Sequence, residues 1–258
     1  MGVVNVTPDS FSDGGLWTDP DAAVAHGLEL VAAGAAIVDV GGESTRPGAD
    51  PVEPAEELDR VVPVVARLAD AGLCVSVDTR RALVAAAALD AGASVVNDVS
   101  AGADPAMFAT VGAAGSGLVL MHMKGEPRDM QVAPHYDDVV REVSGFLTAR
   151  TDAAVAAGVD RDAIAIDPGF GFGKTIGHNL ELLAATDRLA ALGRPLVIGT
   201  SRKSMFAAVA DVDVHERVEA TLATTVWTLL GGATVVRVHD VEEAVQACAV
   251  VDGVRALW

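Results

Sequence analysis

Eight times along the chain a short apolar run rich in β-branched residues ends abruptly in a knot of polar or charged groups, at 3–6, 37–40, 74–77, 95–96, 118–121, 164–166, 196–198 and 235–238. Apolar runs without alternation suit strands covered on both faces. Between them lie Ala/Leu/Val segments with helical spacing, at 21–33, 55–71, 82–91, 105–113, 137–157, 180–192, 220–230 and 241–251. Several stop at a glycine (Gly34, Gly72, Gly92, Gly158, Gly193, Gly231), the residue that most easily adopts the left-handed turn closing a helix. Eight strand-then-helix units predict an α/β fold, a single (β/α)8 TIM barrel over residues 1–258 with its active site at the carboxyl ends of the strands. At 258 residues and 51% hydrophobic content the chain can bury one large core, and no Pro/Gly/Ser-rich linker divides it.

The formal charge of −18 argues against nucleic acid or an anionic membrane as partner, because either needs a basic face. Cys74 and Cys248 have neither metal-ligand nor disulfide spacing and read as core residues in a reducing cytoplasm. No apolar run reaches the ~18 residues of a membrane span, and Met1 leads straight into a strand, so a soluble, cytoplasmic protein is expected.

Each strand runs out into a chemically dense segment. The first run leads to Asn5, Thr7 and a loop holding Phe11 and Asp13; the second to Gly41, Gly42 and the segment from Glu43 to Arg46. The third ends in Asp78, the fourth in Asn97 and Asp98, the fifth in Met121 and His122, the sixth in Asp167. The seventh ends in Ser201, Arg202, Lys203 and Ser204, the eighth in Arg237, His239 and Asp240. Asp78, Asn97 and Asp167 together make a carboxylate pair plus an amide, suited to a heterocycle with an amidine-like N–H edge. Each alone reads equally well as a helix cap. Arg46, Lys203, Arg237 and His239 are cations or potential cations at different strand ends of an acidic chain, an arrangement that suits an anionic ligand such as a diphosphate. The run 167–174, DPGFGFGK, lacks the P-loop spacing and reads as a shaped wall, with Phe172 offering a flat apolar face.

With these residues in view the chain resembles the dihydropteroate synthases of folate biosynthesis, within the pterin-binding family. The likeness spans almost the whole chain and rests on 1–15 (MGVVNVTPDSFSDGG), 42–48 (GESTRPG), 75–79 (VSVDT), 96–98 (VND), 120–123 (LMHM), 167–174 (DPGFGFGK), 201–204 (SRKS) and 237–241 (RVHDV). The resemblance implies condensation of 6-hydroxymethyl-7,8-dihydropterin pyrophosphate with p-aminobenzoate, a dissociative mechanism, Mg²⁺ as cofactor, a homodimer packed through the later helices, and sensitivity to sulfonamides. By that likeness Asp78, Asn97, Met121, Asp167 and Lys203 hold the pterin. Asn5, Arg46, Arg237 and His239 hold the diphosphate, with Asn5 also on the metal. Phe11, Asp13, Thr45, Arg46, Pro47, Phe172 and Ser204 form the aminobenzoate site, and Asp78, Asp167, Lys203, Arg237 and His239 carry catalysis. The chain departs from relatives in starting at the first strand, where they carry a few residues more, and in Lys124, where glutamine is common. A methyltetrahydrofolate-dependent methyltransferase on a similar barrel has no use for Thr45, Arg46, the 201–203 run or 237–239, and a non-catalytic paralogue would show decay in those motifs, which are intact.

Overall fold

The computed structural model describes residues 1–7, 19–46 and 48–257. Its elements alternate as the spacing predicts: β1 (Gly2–Asn5), α1 (Pro20–Ala32), β2 (Val38–Gly41), α2 (Pro54–Asp70), β3 (Val75–Asp78), α3 (Ala82–Asp90), β4 (Val95–Asp98), α4 (Met107–Ala114), β5 (Gly117–Met121) and α5 (Val139–Ala156). The second half comprises β6 (Ile164–Asp167), α6 (Ile176–Ala184), α7 (Thr186–Ala190), β7 (Val197–Ile198), α8 (Met205–Ala210), α9 (Val218–Leu230), β8 (Val235–Val236) and α10 (Val241–Arg255). Strands β1 to β6 form one parallel sheet in chain order and β7 pairs with β8. Single parallel bridges, Ile166 to Leu196 and Gly2 to Val238, join the two pieces at both seams, so the strands run as a (β/α)8 ring.

Val38, Val40, Val75, Val77 and Val96 are completely buried, as strands enclosed between a barrel interior and a helical layer require. Each contributes roughly 1.5–3 kcal/mol of burial free energy. The covering helices carry matching stripes: α2 buries Glu57, Val61, Val64, Val65 and Leu68, a spacing of three and four. Helix α1 starts on Asp19, whose side chain accepts the Asp21 N–H at 3.1 Å, with Pro20 in the first turn.

The structure corrects several expectations. The segment 180–192 is two helices, α6 and α7, parted at Ala185, where the Thr186 hydroxyl donates back to the Leu183 carbonyl at 2.7 Å and competes with helix propagation. Helix α8 has no counterpart in the sequence pattern, because six residues are too few to show a period. Gly34, Gly72, Gly92, Gly158 and Gly193 take positive φ as expected, but at the end of α9 it is Gly232 (φ 103°) and not Gly231 (φ −75°) that turns left-handed. Cys74 is exposed, since β3 begins one residue later, and Cys248 is half-buried on α10. Among the described residues no helix is long and apolar enough to cross a membrane.

Candidate active site

Parallel register lines up residues distant in sequence. Asn5 pairs with Gly41, Gly41 with Asp78 and Asp78 with Asn97, so β1 to β4 end in one row. Asn97 pairs with Val119, and two residues further on Met121 pairs with Asp167 across β5 and β6. A cavity of about 700 Å³ opens at these strand ends. Asn5, Thr45, Arg46, Asp78, Phe172, Lys203, Ser204, Arg237 and His239 line it. Asn97, Met121 and Asp167 are buried behind the lining, at 5–6% exposure. Phe11, Asp13 and Pro47 lie outside the described residues.

The cap-or-pocket ambiguity resolves residue by residue. Asp98 makes a turn: one oxygen accepts the Ser100 N–H at 2.8 Å and hydroxyl at 2.7 Å, the other the Gly102 N–H at 2.6 Å. Asp78 instead accepts Arg237 Nη2 at 2.8 Å, and Asn97 donates through Nδ2 to Asp39 at 3.1 Å, so neither caps a helix. Asp167 is divided, Oδ1 accepting the Gly169 N–H at 2.7 Å while Oδ2 lies beside Gly199, a cavity-lining residue. Burial raises the Asp78 carboxyl, Arg237 opposes this, and Asp39, Glu57 and Asp98 add to it. Burial likewise raises Asp167, against the Gly169 N–H and the charges of Lys203, Arg237 and Lys174.

Lys203 Nζ sits 4.3 Å over the Phe172 ring, a cation–π contact. Burial, with Arg237 and Arg46 repelling and Asp167 and Asp78 attracting, brings its ammonium down to about 8. His239 is pushed down to about 3 by burial and the surrounding Arg237, Arg202, Arg46 and Lys203, so it is neutral at physiological pH. Ser201 Oγ accepts the His239 backbone N–H at 3.2 Å and lies 3.0 Å from Nδ1. These two contacts from one hydroxyl fix the orientation of the neutral ring at the cavity. Arg202 is a salt-bridged residue, gripping Asp240 with Nε at 3.0 Å and with Nη2.

The 167–174 wall is held from inside. Lys174 is 3% exposed and its Nζ reaches the carbonyls of Gly169 (2.9 Å) and Phe172 (3.0 Å) and His122 Nδ1 (3.0 Å). Burial lowers Lys174 to about 7, with Asp167 opposing, and burial with Lys174 lowers His122 to about 3. The wall also lies against the segment after β5, for a Cβ on Gly169 would fall 1.9 Å from the His122 carbonyl oxygen and one on Gly173 2.1 Å from that of Lys124. Lys124 itself turns outward, over Tyr136 and toward Glu142, and does not line the cavity.

The family model described as pterin binding enzyme matches residues 1–239. The chain belongs to the pterin binding enzyme family. This pterin binding enzyme is 53% identical to the dihydropteroate synthase of Mycobacterium leprae over 97% of the chain and 91% of that protein. A Yersinia pestis dihydropteroate synthase solved with a sulfonamide drug superposes with TM-score 0.96 at 43% identity, covering 99% of this chain and 94% of the other. A Xanthomonas albilineans dihydropteroate synthase solved with 4-aminobenzoic acid gives 0.93 at 48% identity, covering 99% and 92%.

Sequence reasoning missed the supports of this enzyme's site. Glu43 accepts the Val52 N–H at 3.0 Å, Arg80 Nε at 3.0 Å and Arg81 Nη2 at 2.9 Å, and these outweigh its burial and keep its carboxyl low. Arg81 also pairs with Glu57, which accepts the Thr79 hydroxyl at 2.6 Å. The legible signal was Glu57 itself, a carboxylate on the apolar stripe of α2. Asp39, fully buried in β2, is the other omission.

Proposed function

We propose that the chain condenses 6-hydroxymethyl-7,8-dihydropterin pyrophosphate with p-aminobenzoate to give 7,8-dihydropteroate and pyrophosphate, as a dihydropteroate synthase, within one domain spanning 1–258. The observation that carries this reading is the pairing of a carboxylate-and-amide floor with a cationic rim in one cavity at the strand ends. Asp78, Asn97 and Asp167, with Met121 and Lys203, take the pterin. Charge developing on the pterin as pyrophosphate departs is stabilised by the two carboxylates, and no protein nucleophile is required. Asn5, Arg46, Arg237 and His239 receive the diphosphate. Thr45, Phe172 and Ser204 line the cavity and take the aminobenzoate, together with Phe11, Asp13 and Pro47.

Mg²⁺ fits this donor set. Among the described residues no group of three His, Cys, Asp or Glu side chains converges on a metal, but Mg²⁺ characteristically keeps several waters and binds through few protein oxygens plus substrate phosphates. The Asn5 amide oxygen at the cavity wall would be such a ligand. When bound, the ion would neutralise charge on the leaving diphosphate. We place the enzyme in the cytoplasm as a homodimer packed through α9 and α10, whose Trp227, Leu230, Val250 and Val254 are exposed.

The test is one incubation of purified protein with both substrates and Mg²⁺, monitored for dihydropteroate and pyrophosphate. Turnover should stop with EDTA, return with Mg²⁺, and be inhibited by a sulfonamide in competition with aminobenzoate, whose flat ring and acceptor oxygens the drug shares. Absence of product, or inhibition that excess aminobenzoate does not relieve, would refute the assignment. A second expectation concerns pH. Because the Lys203 ammonium is lowered to about 8, its charge is present below that value and lost above it, not near 10. Affinity for the pterin pyrophosphate should fall roughly tenfold between pH 7 and 9, the scale of one charged hydrogen bond. Calorimetry on Lys203→Met provides the control, and an equally steep decline in that variant would assign the titration elsewhere.

A further inference from the structure

Asp39 lies in β2 with its side chain inside the ring, completely buried and absent from the cavity lining. Its Oδ2 accepts both Arg237 Nε at 2.6 Å and Asn97 Nδ2 at 3.1 Å. Its Oδ1 has no partner among the described residues, and neither has the hydroxyl of Ser76, the residue opposite it on β3. A half-satisfied carboxylate among buried valines costs stability that an apolar residue of similar size would not. Packing therefore gives no reason for an aspartate here, whereas its two hydrogen bonds give one.

We propose that Asp39 is a positioning residue for the pterin floor, fixing Arg237 and Asn97 without touching a ligand; this rests on the reaction assigned above. A carboxylate only accepts, so Asn97 must turn its NH₂ toward Asp39, and its carbonyl oxygen is the end left for the pocket. Arg237 is gripped at Nε by Asp39 and at Nη2 by Asp78, which sets the plane of the guanidinium. Removal of the Asp39 charge releases both constraints together: the Asn97 amide is free to rotate, and Arg237 is held by Asp78 alone. The aminobenzoate residues Thr45, Phe172 and Ser204 have no hydrogen bond to Asp39, Arg237 or Asn97 and are left as they were.

The test separates binding of the two substrates. In Asp39→Asn, KM for the pterin pyrophosphate should rise at least tenfold while KM for aminobenzoate stays within twofold, a split that general loosening of the barrel would not produce. Ser76→Ala, which removes the unpartnered hydroxyl opposite, should leave both unchanged. On the wild-type protein, the ¹⁵N–¹H signal of Arg237 Nε, assigned by its loss in Arg237→Lys, should be protected from solvent exchange by at least a hundredfold over a free arginine. A pterin KM within twofold of wild type, a parallel rise in both KM values, or unprotected Arg237 Nε would each overturn the proposal. If Asp39→Asn does not fold, the wild-type exchange measurement decides alone. Wild-type protein that makes no dihydropteroate would refute the assigned reaction but leave the Arg237 measurement intact.

Discussion

Replacement of Asp78 by asparagine is expected to lower kcat/KM by two to three orders of magnitude, the size of about 2.7–4 kcal/mol lost from a charged contact in the transition state. The side chains are nearly isosteric, so the change removes charge and one acceptor and leaves the shape. A pterin N–H then loses its carboxylate partner, and positive charge building on the ring loses a stabilising anion. The loss should fall on the pterin step, because Arg237 keeps Asp39 as a partner at 2.6 Å and the guanidinium is not left as an unpaired buried charge. Steady-state kinetics alongside thermal melting distinguish the possibilities. Activity within threefold of wild type would mean that Asp78 serves only to balance Arg237.

The legible and the hidden parts of this site divide along physical lines. Strand ends were legible because a buried parallel strand must be apolar to its last turn, and a polar group there has to be solvated or used; Asn5, Asp78 and Arg237 all emerged that way and all line the cavity. Asp39 was hidden because it sits within the run, two residues before Gly41, and its partner Arg237 is 198 positions away. Only ring closure brings them together, and no local pattern records it. Lys174 reads in sequence as part of a wall, and its burial under four acceptors appears only when the 167–174 loop folds back over His122. Helix α8 and the break at Ala185 escape for a third reason: at six residues, or across one residue, hydrophobic periodicity carries too little signal.

The 167–174 wall should prove the least tolerant part of the enzyme, and Gly169→Ala should show it. At φ 68° an alanine costs about 1–3 kcal/mol of backbone strain. Its Cβ would also lie 1.9 Å from the His122 carbonyl oxygen, a main-chain atom of the neighbouring segment that cannot swing aside. One of the two segments must move, at a further cost of about 1–3 kcal/mol. The displaced residue is joined to Asp167 through its N–H and to Lys174 through its carbonyl, so the shift reaches the pterin carboxylate and the Phe172 face together. A displacement near 1 Å at a reacting centre costs roughly a hundredfold in rate. Gly193→Ala separates the two contributions, since Gly193 has φ 74° and nothing within 4 Å of the added carbon. It should lower the melting temperature by only a few degrees, for a strain of about 1 kcal/mol, with activity unchanged. Gly169→Ala should lower it by roughly 10 °C and abolish most turnover. If the two variants melt together and turn over equally, the close approach of the wall to His122 is not what fixes Asp167.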